Sequence, residues 1–255
     1  MKKTNLACFF VLICFLLFFV FLILFKIPIE NKPLTGKVII AHRGASELEK
    51  ENTLSSFQKA VELNASMIEF DVRKTKDNVL IVFHDGELNK NKINKLSYEE
   101  IESQTDFHVP KLEETLKLLE NKSEIIVDLK EQGYEEEVIK IVALHFNKEN
   151  FIFSSIYVDS LIKIKEIDSG IKTGLIIGTG KITRIPVFLG ILPEEKIKKS
   201  EADYIIVYKE QINKIVIEKA EKLNKDVLVF GIETKEEAEK AMKIEQIKGL
   251  ISDYL

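Results

Sequence analysis

Between Val38 and Ile251 short apolar runs alternate with segments of helical periodicity, and this alternation limits the possible folds more than any other feature of the chain. The strand-like runs are Val38–Ala41, Met67–Val72, Leu80–Phe83, Ile125–Leu129, Phe151–Ser154, Thr173–Ile177, Tyr204–Val207, Val227–Phe230 and Gly249–Ile251. Helical spacing falls at Leu54–Leu63, Ser97–Ser103, Leu112–Leu119, Glu135–Phe146, Ser160–Ile167, Lys209–Leu223 and Lys235–Ile244. Such alternation implies a mostly parallel sheet covered by helices. Many runs are apolar throughout, as in sheets buried on both faces. Residues 37–255 suit one eight-stranded barrel, near its lower size limit. Nine runs are one too many for that barrel. No helix fits between Val72 and Leu80, so "RKTKDN" is read as a tight turn, with Asn78 tolerating positive φ. The expected fold is α/β, a TIM-type (β/α)8 barrel with one added hairpin.

Ahead of it stands "LACFFVLICFLLFFVFLILF", Leu6 to Phe25, an unbroken apolar run of 20 residues. As a helix it would be roughly 30 Å long, the thickness of a bilayer core. No small-residue cleavage site follows it; the next residues are Lys26, Ile27 and Pro28. The reading is a single transmembrane anchor, with residues 1–36 as anchor and linker and 37–255 as the domain. Lys2 and Lys3 in a short tail favour a cytoplasmic N-terminus and an extracytoplasmic domain. Cys8 and Cys14 are the only cysteines, so the domain has neither a disulfide framework nor a thiolate metal site. A net charge of −4 argues against a nucleic-acid partner.

Polar residues gather where strands end. His42 and Arg43 follow "VII", Glu69 and Asp71 close "MIEFDV", His84 and Asp85 follow "LIVF", and Asp128 and Lys130 close "EIIVDLK". In a barrel of this class the strand C-termini form the active face. Glu69 and Asp71 are two residues apart and so share a face of their strand. Like charges placed together repel unless a cation lies between them, and carboxylate oxygens suit a hard cation. Asp128 would supply a third carboxylate. Ser154 and Ser155 end another strand. His108 and His145 read as structural, and "ENTL" could simply cap a helix through Asn52 or Thr53. Asp253 could either touch the site or cap the last strand.

These stretches resemble the glycerophosphodiester phosphodiesterase family of phospholipase-C-like barrels. "AHRGASELEKENTLSSFQKA" is similar to its H-R-G and E-N-T elements, "IEFDVRKTKDNVLIVFHD" to its E-x-D, T-x-D and H-D block, "VPKLEETLKLL" to its P-x-L-x-E-x-L helix, and "GLISDYL" to its closing segment. The resemblance implies metal-dependent hydrolysis of glycerophosphodiesters to glycerol 3-phosphate and an alcohol. Glu69, Asp71 and Asp128 would hold a divalent cation, Ca²⁺ or Mg²⁺. His42 and His84 would be the acid and base pair, since histidine titrates near neutrality. Arg43 and Lys130 would bind the phosphate, and Glu51 and Asn52 would help place the ligand.

The chain departs from the family pattern in four places. Asp128 stands where Glu is usual, Phe230-Gly231 replaces a Trp-Thr pair, "ELNKNKINK" replaces an Arg-Thr element, and the insertion before "VPKLEETL" is short. Two other readings use the same residues: a lysophospholipase D acting on membrane lysolipids, and a non-catalytic phosphodiester-binding module. The expected partners are therefore a glycerophosphodiester or lysophospholipid and, through the anchor, a membrane.

Overall fold

A computed structural model describes residues 38–178, 186–187 and 190–255. The expected anchor and linker lie outside these residues. Among the described residues no helix is long and apolar enough to cross a membrane.

The strands in chain order are β1 (Val38–His42), β2 (Met67–Lys74), β3 (Leu80–Val82), β4 (Glu87–Leu88), β5 (Asn91–Lys92), β6 (Glu124–Leu129), β7 (Phe151–Ser155), β8 (Lys172–Ile176), β9 (Tyr204–Tyr208), β10 (Asp226–Ile232) and β11 (Ile247–Ser252). Eight of them, in the order β1-β2-β6-β7-β8-β9-β10-β11, pair in parallel, and β11 returns to β1 to close the barrel. The surplus run is β3, which turns back antiparallel on β2 through Asn78 at φ 65°. A tight turn is what the hairpin needs there.

The period of two along each strand sorts the side chains. On β2, Ile68, Phe70 and Val72 point outward into the large core shared with the helices. Met67 points inward, among Ile40, Ile126, Ile152, Ile206, Leu228 and Ile251, which fill the barrel's interior. Glu69 and Asp71 continue that inward row above Met67. Thus an apolar layer plugs the barrel and a polar layer sits on top of it. This is why a strand that is buried from Met67 to Val72 also carries acids.

The helices are α1 (Leu54–Glu62), α2 (Tyr98–Glu102), α3 (Leu112–Leu119), α4 (Glu135–Val142), α5 (Val158–Ile167), α6 (Glu194–Ser200), α7 (Lys214–Lys222) and α8 (Lys235–Met242). Thr53, not Asn52, caps α1, its hydroxyl accepting the Ser56 N–H at 3.3 Å. The helix expected over Lys209–Leu223 is broken. A 3₁₀ turn at Lys209–Gln211 precedes α7, and the Asn213 side chain accepts the Val216 N–H at 3.1 Å, which starts a new helix. Helix α6 was not legible from apolar spacing, because "EEKIKKS" carries one apolar residue, Ile197. Helix α4 ends at Val142 rather than Phe146; the N–H groups of His145 and Phe146 both turn onto the Val142 carbonyl.

Candidate active site

At the top of the barrel, register places the acids in rows. Glu69 lies beside His42, and Asp71 beside Asp128. Oxygens of Glu69, Asp71 and Asp128 come within 4.8 Å of one another, and all three side chains are buried. Burial and the neighbouring Asp71 push the Glu69 carboxyl up to about 7. Burial would raise Asp71 too, but the cations Lys130 and Arg43 hold it below the ordinary carboxylate range. Burial keeps Asp128 above its ordinary value despite Lys130.

These carboxylates could hold a metal. All three donors are carboxylate oxygens, the set a hard cation takes. Asp128 Oδ1 is buried without a well-aligned hydrogen-bond partner, although its other oxygen pairs with Lys130. A buried carboxylate oxygen with no well-aligned donor is one that a cation could take up, in addition to Lys130 and Ser154, which already act on this carboxylate.

The cations expected at the phosphate hold acids in this structure. Arg43 NH1 donates to Glu51 at 2.7 Å, and its Nε lies 3.1 Å from Asp71 Oδ2. Lys130 Nζ lies between Asp128 Oδ2 and Asp71 Oδ1, at 2.7 Å from the latter. Both cations also line the cavity. Asn52 spends its side chain on Asp71: Nδ2 donates to Oδ2 at 2.7 Å, and Oδ1 accepts the Asp71 N–H at 3.2 Å. The β1–α1 loop that makes these contacts is folded tightly. Arg43 and Asn52 have φ of 54° and 56°, and a Cβ on Gly44 would lie 2.4 Å from Ser56 Oγ. Only glycine fits there, and the loop holds two non-glycine residues in left-handed conformations beside the acids.

Both expected histidines line the cavity. His42 Nδ1 donates to Asp253 Oδ1 at 2.7 Å, and the Ser46 hydroxyl donates to the same oxygen at 2.6 Å. Burial would lower the His42 pKa, but Asp253 and Glu69 outweigh it, and the imidazole sits above its ordinary value. His84 Nδ1 meets Asp85 Oδ1 at 2.8 Å. In each case an acid side chain on Nδ1 leaves Nε2 as the nitrogen free to exchange a proton. His108 pairs with Glu102 and Glu114, and His145 with Glu120. The hydroxyl of Ser155 is used on the Leu129 carbonyl, while Ser154 lines the cavity.

Sequence reading missed Arg73 and Glu131. Arg73 Nε and NH2 both donate to the His84 carbonyl, at 2.9 and 2.7 Å, and its NH1 donates to Glu131 at 3.0 Å. This clamp fixes the backbone that carries His84. The signal was present, since Arg73 continues the inward row of Glu69 and Asp71.

The cavity has a volume of about 680 Å³ and two unlike walls. One arc, from β1, β2, β6 and the β3–β5 loops, presents His42, Arg43, Glu69, Arg73, His84, Lys92, Asp128 and Lys130. The other, from β7 to β11, presents Ile156, Tyr157, Ile176, Ile206, Phe230 and Ile251.

Residues 42–255 match the model of the glycerophosphoryl diester phosphodiesterase family. The chain belongs to this family. It is 27% identical to a glycerophosphodiester phosphodiesterase of Caldanaerobacter subterraneus, over 85% of this chain and 93% of that one. Among solved structures, the glycerophosphodiester phosphodiesterase of Thermotoga maritima is 26% identical with a TM-score of 0.67, covering 85% of this chain and 94% of that one. A phosphodiesterase of Oleispira antarctica, solved with the product sn-glycerol-3-phosphate, shares the fold at 21% identity and a TM-score of 0.71, over 85% of this chain and 93% of that one.

Proposed function

We propose that the protein hydrolyses glycerophosphodiesters to glycerol 3-phosphate and an alcohol. The observation that carries this is a cluster of three buried carboxylates, two of which line the cavity together with two acid-tethered histidines, in a family member. Glu69, Asp71 and Asp128 would hold a divalent cation, Ca²⁺ or Mg²⁺. When bound, such an ion polarises a phosphoryl oxygen and offsets the charge that builds up on phosphate. Arg43 and Lys130, already at the cavity wall, add positive charge toward the same phosphate. One histidine Nε2 takes the proton of the attacking oxygen, and the other gives a proton to the leaving alkoxide. Asp253 and Asp85 hold the two rings in the tautomer this exchange needs. Arg73 sets the backbone position of His84.

The apolar run Leu6–Phe25 would tether this domain to a membrane, with the site on the extracytoplasmic side. The intact charged arc of the cavity speaks against a purely binding role.

The test is release of glycerol 3-phosphate by the full-length protein from glycerophosphocholine and glycerophosphoethanolamine, with and without chelator. We expect activity that chelator removes and Ca²⁺ or Mg²⁺ restores. His42→Ala and His84→Ala should each lower turnover by roughly 10²-fold or more with the fold retained. Full activity in chelator would remove the metal from the mechanism. Unchanged turnover in either histidine variant would remove that residue from the acid and base pair.

A further inference from the structure

An anionic diester that enters the cavity meets acids on its wall, since Glu69, Glu87, Asp128 and Glu131 all line it. Most of the positive charge there is already engaged. Arg43 holds Glu51 and Asp71, Lys130 holds Asp71 and Asp128, and Arg73 holds the His84 carbonyl and Glu131. Lys92 differs from these three. It lines the same cavity, and among the described residues no acid is in ion-pair contact with it.

The fold of its segment decides that this lysine, and not its neighbours, faces the cavity. β4 and β5 form a hairpin in which Glu87 pairs with Lys92 and Leu88 with Asn91. Asn89 and Lys90, at φ 49° and 68°, make the two-residue turn, so Lys90 stands at the tip. Partners across such a ribbon share a face. Leu88 packs against the small core of Ile81, Ile93, Leu96, Ile101 and Val109, which leaves Glu87 and Lys92 on the cavity side. Ile93 is fully buried, and its N–H donates to the Gly86 carbonyl at 3.0 Å, which fixes the base of the hairpin. Lys90 and Lys95, from the same stretch, do not line the cavity.

We infer that Lys92 is a substrate-binding residue whose ammonium takes a non-bridging oxygen of the scissile phosphate. This deepens the phosphodiesterase reading and rests on it. The motifs behind the family resemblance stop at Asp85 and resume at Val109, so none of them includes Lys92. A lysine ammonium is a compact charge on a flexible stem and can follow the phosphoryl group as its charge changes. A diester carries a single negative charge, and a phosphate monoester about −1.5 to −2 near pH 7. Lys92 therefore acts more strongly on the product than on the substrate. The alternative is that Lys92 only pairs with Glu87 across the hairpin.

The experiment uses full-length protein at saturating metal, as wild type, Lys92→Met, Lys92→Arg and Glu87→Gln, with circular dichroism melts to check the fold. Lys92→Met should raise KM by the same factor for glycerophosphocholine and glycerophosphoethanolamine, about three- to fivefold, the effect of one exposed charge pair. Its kcat should change less than about twofold. The inhibition constant of glycerol 3-phosphate should rise by more than KM does. Lys92→Arg should follow wild type, and Glu87→Gln should raise neither constant. Added salt should raise KM more in wild type than in Lys92→Met. Unchanged KM and inhibition constant in Lys92→Met overturn the assignment, as does a rise that Glu87→Gln reproduces. A rise confined to one diester places Lys92 at the leaving alcohol and overturns it too. If wild type hydrolyses no diester, the phosphodiesterase reading fails instead. Calorimetric binding of glycerol 3-phosphate then decides Lys92 by itself. Weaker binding in Lys92→Met that Lys92→Arg restores supports the assignment, and equal affinity or no binding overturns it.

Discussion

Asp128 is asked to do two things at once. One oxygen pairs with Lys130, and the other is buried and lacks a well-aligned partner. If the free oxygen is a metal ligand, Asp128→Asn should raise the metal concentration for half activity several-fold, with a smaller effect on turnover at saturating metal. Asp128→Glu should hold or improve metal affinity, because it restores the reach usual in the family. If Asp128 only anchors Lys130, the Asn variant lowers thermal stability and leaves the titration midpoint where it was. A metal titration of the three proteins separates these outcomes. The acids were legible at this scale because a carboxylate inside an apolar strand has no bland explanation. The arrangement of Arg43 and Lys130 was not. Spacing placed them at the rim, but only the folded β1–α1 loop and the end of β6 show them already paired with Glu51, Asp71 and Asp128. Asn52 is the same kind of case: its left-handed backbone turns the side chain away from capping and onto Asp71.

Elements were readable wherever packing follows period, and less so where caps decide. Nothing in the apolar spacing of Lys209–Leu223 marks the break that Asn213 makes. Another polar device of this kind joins α5, β8 and the loop before β9. Asp203 accepts from Lys165 and Lys172, each at 2.8 Å, and from the Thr173 N–H at 2.9 Å. Burial alone would raise this carboxyl, yet Lys165, Lys172 and the Thr173 N–H hold it below its ordinary value. A carboxyl with a lowered native pKa gives stability that is complete above its unfolded value, about 4, and is lost as pH falls through the native one. Asp203→Asn should therefore cost about 1–2 kcal/mol near pH 7. The difference from wild type should shrink as pH falls below about 4. Thermal melts of both proteins from pH 7 to pH 3 check this. A destabilisation that stays constant across that range would assign the effect to lost packing rather than to charge.

Closure of the barrel is a property of the whole chain. β1 pairs with both β2 and β11, so the first and last described strands are neighbours, and His42 meets Asp253 across a separation of 211 residues. Eight strands and an added hairpin could be counted in the sequence. The partner of His42 could not be chosen, because Asp253 served equally well as a strand cap until closure fixed its neighbour. The fold and the site therefore depend on the same terminal segment, but through different atoms, and two variants should part them. Removing residues 247–255 exposes the edges of β1 and β10 and deletes Ile247, Leu250 and Ile251, all buried. At about 1.5–3 kcal/mol for each buried aliphatic side chain, the loss is comparable to the entire stability of an ordinary domain, about 5–15 kcal/mol. The truncated chain should show no cooperative unfolding transition. Asp253→Asn keeps every apolar contact of β11 and changes only what His42 Nδ1 and the Ser46 hydroxyl meet. It should melt close to wild type and lose turnover by roughly tenfold or more, because the ring is no longer held in one tautomer. Circular dichroism melts and glycerol 3-phosphate release measure the two effects separately. Wild-type turnover in Asp253→Asn would mean that closure supplies only stability and that His42 is oriented by the β1–α1 loop alone.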